Sequence, residues 1–132
     1  REKRGLAYAI GSYTLSYANG GAFTVYGGTG KKTWEQVQEV VRQELDRVMQ
    51  GDVAEEELDR IKRNISGNMV LALEGMSARM MRMAKNELYH QREVPLEETL
   101  GKINAVTHEK LTAYANKVLS PERMSTTAIG PF

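Results

Sequence analysis

REKRGLAYAIGSYTLSYANGGAFTVYGGTGKKT, residues 1–33, contains the change of period that decides the fold. Residues 6–28 read as two strands. Tyr8, Ile10, Tyr13, Thr14, Leu15, Tyr17, Phe23, Thr24, Val25 and Tyr26 are mostly aromatic and β-branched types, which suit a pleated surface. Asn19-Gly20-Gly21 between them is a hairpin turn signal. Two registers compete. A two-residue Asn-Gly turn sets Ser16 opposite Phe23 and Thr14 opposite Val25. A three-residue loop over Asn19 to Gly21 sets Tyr17 against Phe23 and Leu15 against Val25. The second gathers apolar side chains on one face, and register follows the buried face, so the three-residue loop is expected.

From Thr33 the period becomes 3.6. Trp34, Val37, Val40, Val41, Leu45, Val48 and Met49 form one helical stripe. Thr33-x-x-Gln36 reads as a capping box and Gly51 as a C-terminal stop. A second helix starts near Ala54, with Glu55, Glu56 and Glu57 in the first turn, where the helix dipole favours anions. Its stripe is Leu58, Ile61, Ile65, Met69, Ala72 and Leu73, and Gly75 breaks it. A third helix runs from about Ser77 to Gln91, with Met80, Met83, Ala84 and Leu88 inward. Pro95 marks a connection, and Leu96 to Asn104 is a short helix through Leu100 and Ile103. Thr107 caps the last helix, with Val106 placed to staple onto Leu111. Leu111, Tyr114, Ala115, Val118 and Leu119 form that helix's apolar face, and Ser120-Pro121 ends it. Met124 to Ile129 reads as a final strand.

Strand, strand, four to five helices, strand is an α+β order: a small antiparallel or mixed sheet with helices packed on one face. Residues 1–132 read as a single domain with no internal repeat. Three strands are few for so many helices, and so narrow a sheet has unprotected edges. The chain also opens on its motif without an initiator Met. Both features suggest an N-terminally truncated domain, with exposed apolar surface and self-association through the open sheet edge.

Composition removes several function classes. With 18 basic and 17 acidic residues the formal net charge is +1, without the basic excess of a nucleic-acid binder. Cysteine is absent, which removes disulfides and thiolate metal sites. No apolar run is long enough to cross a bilayer as a helix, and the expected compartment is cytoplasmic.

Four candidate motifs have simpler readings. Gly27-Gly28-Thr29-Gly30-Lys31-Lys32-Thr33 lies between strand and helix, as phosphate loops do. A Walker loop needs glycine five residues before the Gly-Lys pair, where Val25 stands, and a hydroxyl directly after the lysine, where Lys32 stands. His90 and His108 are the two histidines and fall on different predicted helices, so no H-x-x-E-H or inverse motif exists and no metal site is expected. Met76, Met80, Met81 and Met83 have the helical spacing of core filling more than of a partner groove. The glutamates at 55–57 are a solvated helix start.

In the opening octapeptide, Arg1-Glu2-Lys3-Arg4-Gly5-Leu6-Ala7-Tyr8, the basic residues Arg1, Lys3 and Arg4 read most simply as a solvated loop before a strand, and Arg1 with Tyr8 is the sharper pair. Arg1 donates to carbonyls or carboxylates without losing its charge. The Tyr8 hydroxyl can donate to a carbonyl oxygen as negative charge develops on it. Together they could hold and polarise a peptide bond if another group activates water.

Arg-x-Lys-Arg-Gly-Leu-Ala-Tyr at 1–8 resembles a segment of the second domain of the insulinase, pitrilysin and mitochondrial processing-peptidase family of inverted zinc metallopeptidases. Four later segments follow the same family in order. They are Val53-x-Glu55-Glu56-Glu57-Leu58-Asp59-Arg60-x-Lys62; Leu73-Glu74 with Ser77-Ala78-Arg79-Met80; Val94-Pro95-Leu96 with Ile103-Asn104-Ala105-Val106-Thr107; and Ala128-Ile129-Gly130-Pro131. The bacterial processing-protease branch is the nearest resemblance. It implies a parent zinc metalloendopeptidase with two homologous α+β domains facing across a chamber, one carrying the H-x-x-E-H zinc site and general base. The other domain, which this chain resembles, lends an Arg and a Tyr that map onto Arg1 and Tyr8 as catalytic and substrate-binding residues. The implied partners are the homologous zinc-bearing domain, on the same polypeptide or a partner subunit, and unstructured peptides or presequences bound extended. The implied cofactor is zinc, held by the absent domain. A non-catalytic binding or assembly module of the same fold is the alternative, and retained Arg1 and Tyr8 favour the peptidase.

Overall fold

A computed structural model describes residues 4–130 of the 132. Two strands, β1 (Ala7–Tyr17) and β2 (Gly20–Thr29), form an antiparallel hairpin at the expected places. The turn differs from both expected registers. Tyr17 pairs with Gly20, Ser16 with Gly21, Leu15 with Ala22 and Thr14 with Phe23. The two connecting residues are therefore Ala18 and Asn19, and neither has positive φ, so the primed turn that Asn-Gly favours does not form.

Burial does not select this register. Tyr13, Leu15, Tyr17 and Phe23 are all exposed, and strand register is weakly specified where no face is covered. Aromatic rings lying on glycines accompany it instead. Gly11 pairs with Tyr26. A methyl group at Gly11 would lie 2.8 Å from the Tyr26 hydroxyl, so the ring occupies the space that glycine leaves. The same ring meets Tyr13 at a centroid distance of 5.9 Å and a tilt of 48°, a favourable aromatic arrangement.

Five helices follow, which settles the class as α+β. A 3-10 turn (Lys31–Thr33) leads into α1 (Trp34–Met49). The others are α2 (Glu55–Ala72), α3 (Met76–His90), α4 (Leu96–Asn104) and α5 (His108–Val118). Thr33 stands at the N-cap of α1 as expected, but its hydroxyl makes no cap bond, so the capping box is not formed. That oxygen is 2.7 Å from the Thr29 hydroxyl and 3.1 Å from the Gly30 carbonyl. Thr107 does cap α5, accepting from the Lys110 amide at 3.3 Å. Gly51 follows α1 with φ of 76°, the left-handed conformation that ends helices, and Gly75 separates α2 from α3. Gln91 ends α3 with φ of 52°, a left-handed cap that the sequence did not flag.

Two compact units divide the chain. The first comprises residues 1–52 and 112–132. Its most buried side chains are Ala7 and Ala115, and Asn116 donates to the Met49 carbonyl at 2.7 Å. The stripe Trp34, Val37, Val40, Val41, Leu45, Val48 and Met49 is half-buried, as its spacing predicts. Met124 to Ile129 is not a strand. Among the described residues it has no ladder partner, and extended backbone without a paired edge is not a sheet strand.

The second unit, residues 53–111, centres on Leu58 and Val94. Arg82 of α3 donates to the Val94 carbonyl at 2.9 Å and to the Thr99 hydroxyl at 3.1 Å, and Asn86 also reaches that carbonyl. Lys62 of α2 reaches the Asn104 carbonyl at 3.4 Å. These contacts reverse the expected orientation of α3. The partly covered face is Ala78, Arg82 and Asn86, while Met80, Met83, Ala84 and Leu88 are exposed, Leu88 at 78%. The unit's own polar groups draw the other face toward the 92–99 connection. On α2 the covered line is Leu58, Lys62, Ser66, Met69 and Leu73, which leaves Ile61 and Ile65 exposed beside it.

Candidate functional site

The start of β1 carries the residues of interest. Gly5 has φ of 61°, a left-handed bend that glycine adopts without steric cost. Leu6 is half-buried and Ala7 buried, so the backbone is seated before Tyr8 is reached. Ala7 pairs with Thr29 and Ala9 with Gly28, two adjacent residues of β2. Tyr8 is therefore the extra residue of a β-bulge, a feature that re-aims a side chain and locally strengthens twist. Its side chain is 76% exposed. Arg1, the other half of the expected pair, lies outside the described residues, as do Glu2 and Lys3. Arg4 is exposed.

The opposing strand shapes the Tyr8 environment. A methyl group at Gly28 would strike Cε2 and Cζ of the Tyr8 ring and lie 2.6 Å from its hydroxyl. The ring thus lies across the bare backbone of Gly28. One residue on, the Thr29 hydroxyl donates to the Leu6 carbonyl at 2.6 Å. The Thr33 hydroxyl lies 2.7 Å from that of Thr29 and 3.1 Å from the Gly30 carbonyl, so two hydroxyl protons are shared among three contacts. A hydroxyl relay therefore runs from the first turn of the helical segment through β2 to the backbone two residues before Tyr8. The arrangement presents a phenol on paired strand backbone, open to a ligand and able to donate or accept a hydrogen bond.

Gly28 and Thr29 were absent from the sequence-based site. The usable signal was a glycine pair inside a strand pattern, which marks a bulge or a close approach of another group. The Gly-rich stretch is no phosphate cradle. Gly27 and Gly28 are paired in the ladder, and Gly30 is extended. His90 ends α3, while His108 opens α5 with Nε2 at 3.0 Å from the Val53 carbonyl. Among the described residues no group of three His, Cys, Asp or Glu side chains is placed to hold a metal. Glu55 to Glu57 occupy the first turn of α2. No helix among the described residues is long and apolar enough to cross a membrane.

Among the described residues, a hairpin feeds five helices, an exposed tyrosine stands on a bulge and no metal cluster forms. The fold matches the crystal structure of a conserved protein from Enterococcus faecalis V583 with a TM-score of 0.76 and 31% identity. That match covers 89% of this chain and 27% of the other. Residues 1–65 match the family model described as the peptidase M16 inactive domain. The uncharacterized zinc protease YmxG of Bacillus subtilis is 33% identical over 122 residues, covering 92% of this chain and 30% of that protein. An uncharacterized zinc protease of Streptomyces coelicolor is 37% identical over 131 residues, covering 99% of this chain and 28% of that protein. The chain belongs to the peptidase M16 family, in agreement with the resemblance of its octapeptide and later segments. It spans less than a third of the length of these relatives.

Proposed function

We propose that these 132 residues are the C-terminal part of the second, substrate-side domain of a longer zinc endopeptidase. In this reading the parent is cytoplasmic and cleaves unstructured peptides or presequences. The observation that carries the reading is Tyr8, an exposed hydroxyl set on a bulge where the octapeptide pattern expects a substrate-contacting tyrosine. In this reading zinc is held by the homologous counterpart domain; the described residues offer no donor set for it.

This chain contributes placement and charge stabilisation. Tyr8 donates to the carbonyl oxygen of the scissile bond as that oxygen gains negative charge. A donor of this kind acts mainly in the transition state and therefore on kcat. Arg1 binds neighbouring carbonyls of the peptide backbone with its fixed charge. An extended peptide exposes its carbonyls in the way such a pair requires.

Substituting Tyr8→Phe in the intact parent removes the hydroxyl and keeps the ring. The expected result is a fall in kcat on an unstructured peptide by about a hundredfold, in line with loss of one oxyanion donor, with KM changed little. Unchanged cleavage would remove Tyr8 from the reaction.

A further inference from the structure

An exposed tyrosine turns freely among its side-chain rotamers, whereas a donor that must meet a developing oxyanion has to be held to within roughly 0.5 Å. Residues that touch no substrate must then restrict Tyr8. The structure assigns that task to Gly28 and Thr29, an inference that rests on the reading of Tyr8 given above. Gly28 leaves the space in which the Tyr8 ring lies, and the first side-chain carbon of any other residue would occupy it. Thr29 ties down the Leu6 carbonyl at 2.6 Å and is itself fixed by Thr33 at 2.7 Å. Both stand opposite the bulge that holds Tyr8, since Ala7 pairs with Thr29 and Ala9 with Gly28. One residue sets where the ring can lie, and the next sets the backbone from which it springs. They are positioning residues that act through Tyr8.

The obstacle created by Gly28→Ala is the free end of a side chain, not backbone, so the ring moves aside and the hairpin persists. In the intact parent this substitution is expected to lower kcat about tenfold to a hundredfold, the scale of a misplaced catalytic group, with KM nearly unchanged. Thr29→Val is expected to lower kcat in the same sense, and Thr29→Ser, which keeps the hydroxyl, to retain it. In a Tyr8→Phe background neither Gly28→Ala nor Thr29→Val should cost anything further, because the hydroxyl they place is gone. Gly11→Ala is the control. It displaces the Tyr26 ring in the same manner and should leave kcat unchanged.

Equal losses from Gly28→Ala in the Tyr and Phe backgrounds would overturn the positioning role alone. So would a comparable loss from Gly11→Ala. No effect of Tyr8→Phe would instead overturn the functional reading, and the positioning role with it. The ring placement has its own readout, independent of whether Gly28→Ala folds. In the parent labelled with 13Cα-glycine, the Gly28 α-protons should carry a ring-current shift from Tyr8 that is lost in Tyr8→Leu. Unshifted Gly28 protons would overturn the geometry on which the inference stands.

Discussion

Glu98 shows how a single surface carboxylate is tied into the second unit. Arg92 donates two parallel bonds to it, at 2.9 and 2.8 Å, and Lys102 a third at 2.8 Å. The Arg92 guanidinium first, and then the Lys102 ammonium, hold the Glu98 carboxyl down from the ordinary 4.5 to about 2. A carboxylate whose folded pKa is depressed contributes stability that is fully present above its unfolded value and is lost as pH falls through the folded value. Glu98→Gln should therefore lower the thermal midpoint of the parent slightly at pH 7. The gap from the unsubstituted protein should close as pH drops from about 4.5 toward about 2, and salt should narrow it at neutral pH because the groups face water. A gap that persists at pH 2 would mean that Glu98 acts through packing. The residue scale also holds the weightier Tyr8→Phe prediction, since one hydroxyl on a bulge carries the functional reading.

At the scale of elements, the helix ends test how far local rules reach. The Thr107 hydroxyl satisfies the Lys110 amide in the first turn of α5. Thr107→Ala should destabilise that helix by about 1 kcal/mol, the usual cost of a lost N-cap, and Thr107→Ser should recover most of it. Amide exchange in α5 of the parent would register both. Thr33→Ala should behave differently. Its hydroxyl serves Thr29, not the amides of α1, so the loss should appear in exchange of the Leu6–Tyr8 segment more than in the first turn of α1. Both threonines read as helix caps in the sequence, Thr33 through a capping box with Gln36 and Thr107 beside the Val106–Leu111 staple. They differ because the Thr33 hydroxyl lies against Thr29 and the Gly30 carbonyl, whereas that of Thr107 meets the Lys110 amide.

At the scale of the whole chain, large apolar side chains far outweigh the core among the described residues. Ala7, Leu58, Val94 and Ala115 are the buried apolar residues, and no large side chain is fully buried. Met76, Met80, Met83 and Leu88 on α3 are exposed, as are Tyr13, Leu15 and Tyr17 on β1. Apolar surface on this scale marks interaction faces. The isolated 132-residue chain should bind a hydrophobic dye and associate with itself, and the intact parent should do so far less. The isolated chain should also fail to cleave peptides with zinc added, because it has no H-x-x-E-H. Zinc-dependent cleavage by residues 1–132 alone would overturn the proposed division of labour between domains.

The sequence by itself determined the two strands, the five helices with most of their ends, the α+β class, and a family resemblance that the comparisons bear out. These rest on properties of chain neighbours: side-chain type, period, and the glycines and prolines that stop an element. Tertiary structure alone decided the hairpin register, the covered face of α3, and the bulge that sets Tyr8 over Gly28. Each depends on a partner distant in sequence. A shift of one residue in strand pairing moves every side chain to the opposite face, and no count along the chain can detect it. The register Tyr17–Gly20 is accompanied by rings resting on Gly11 and Gly28 in place of a buried face. Helix α3 turned its polar side inward because Arg82 and Asn86 found the Val94 carbonyl. Tyr8 was legible as a candidate from the octapeptide, whereas its seat on Gly28 and the relay through Thr29 came into view only once the strands were paired.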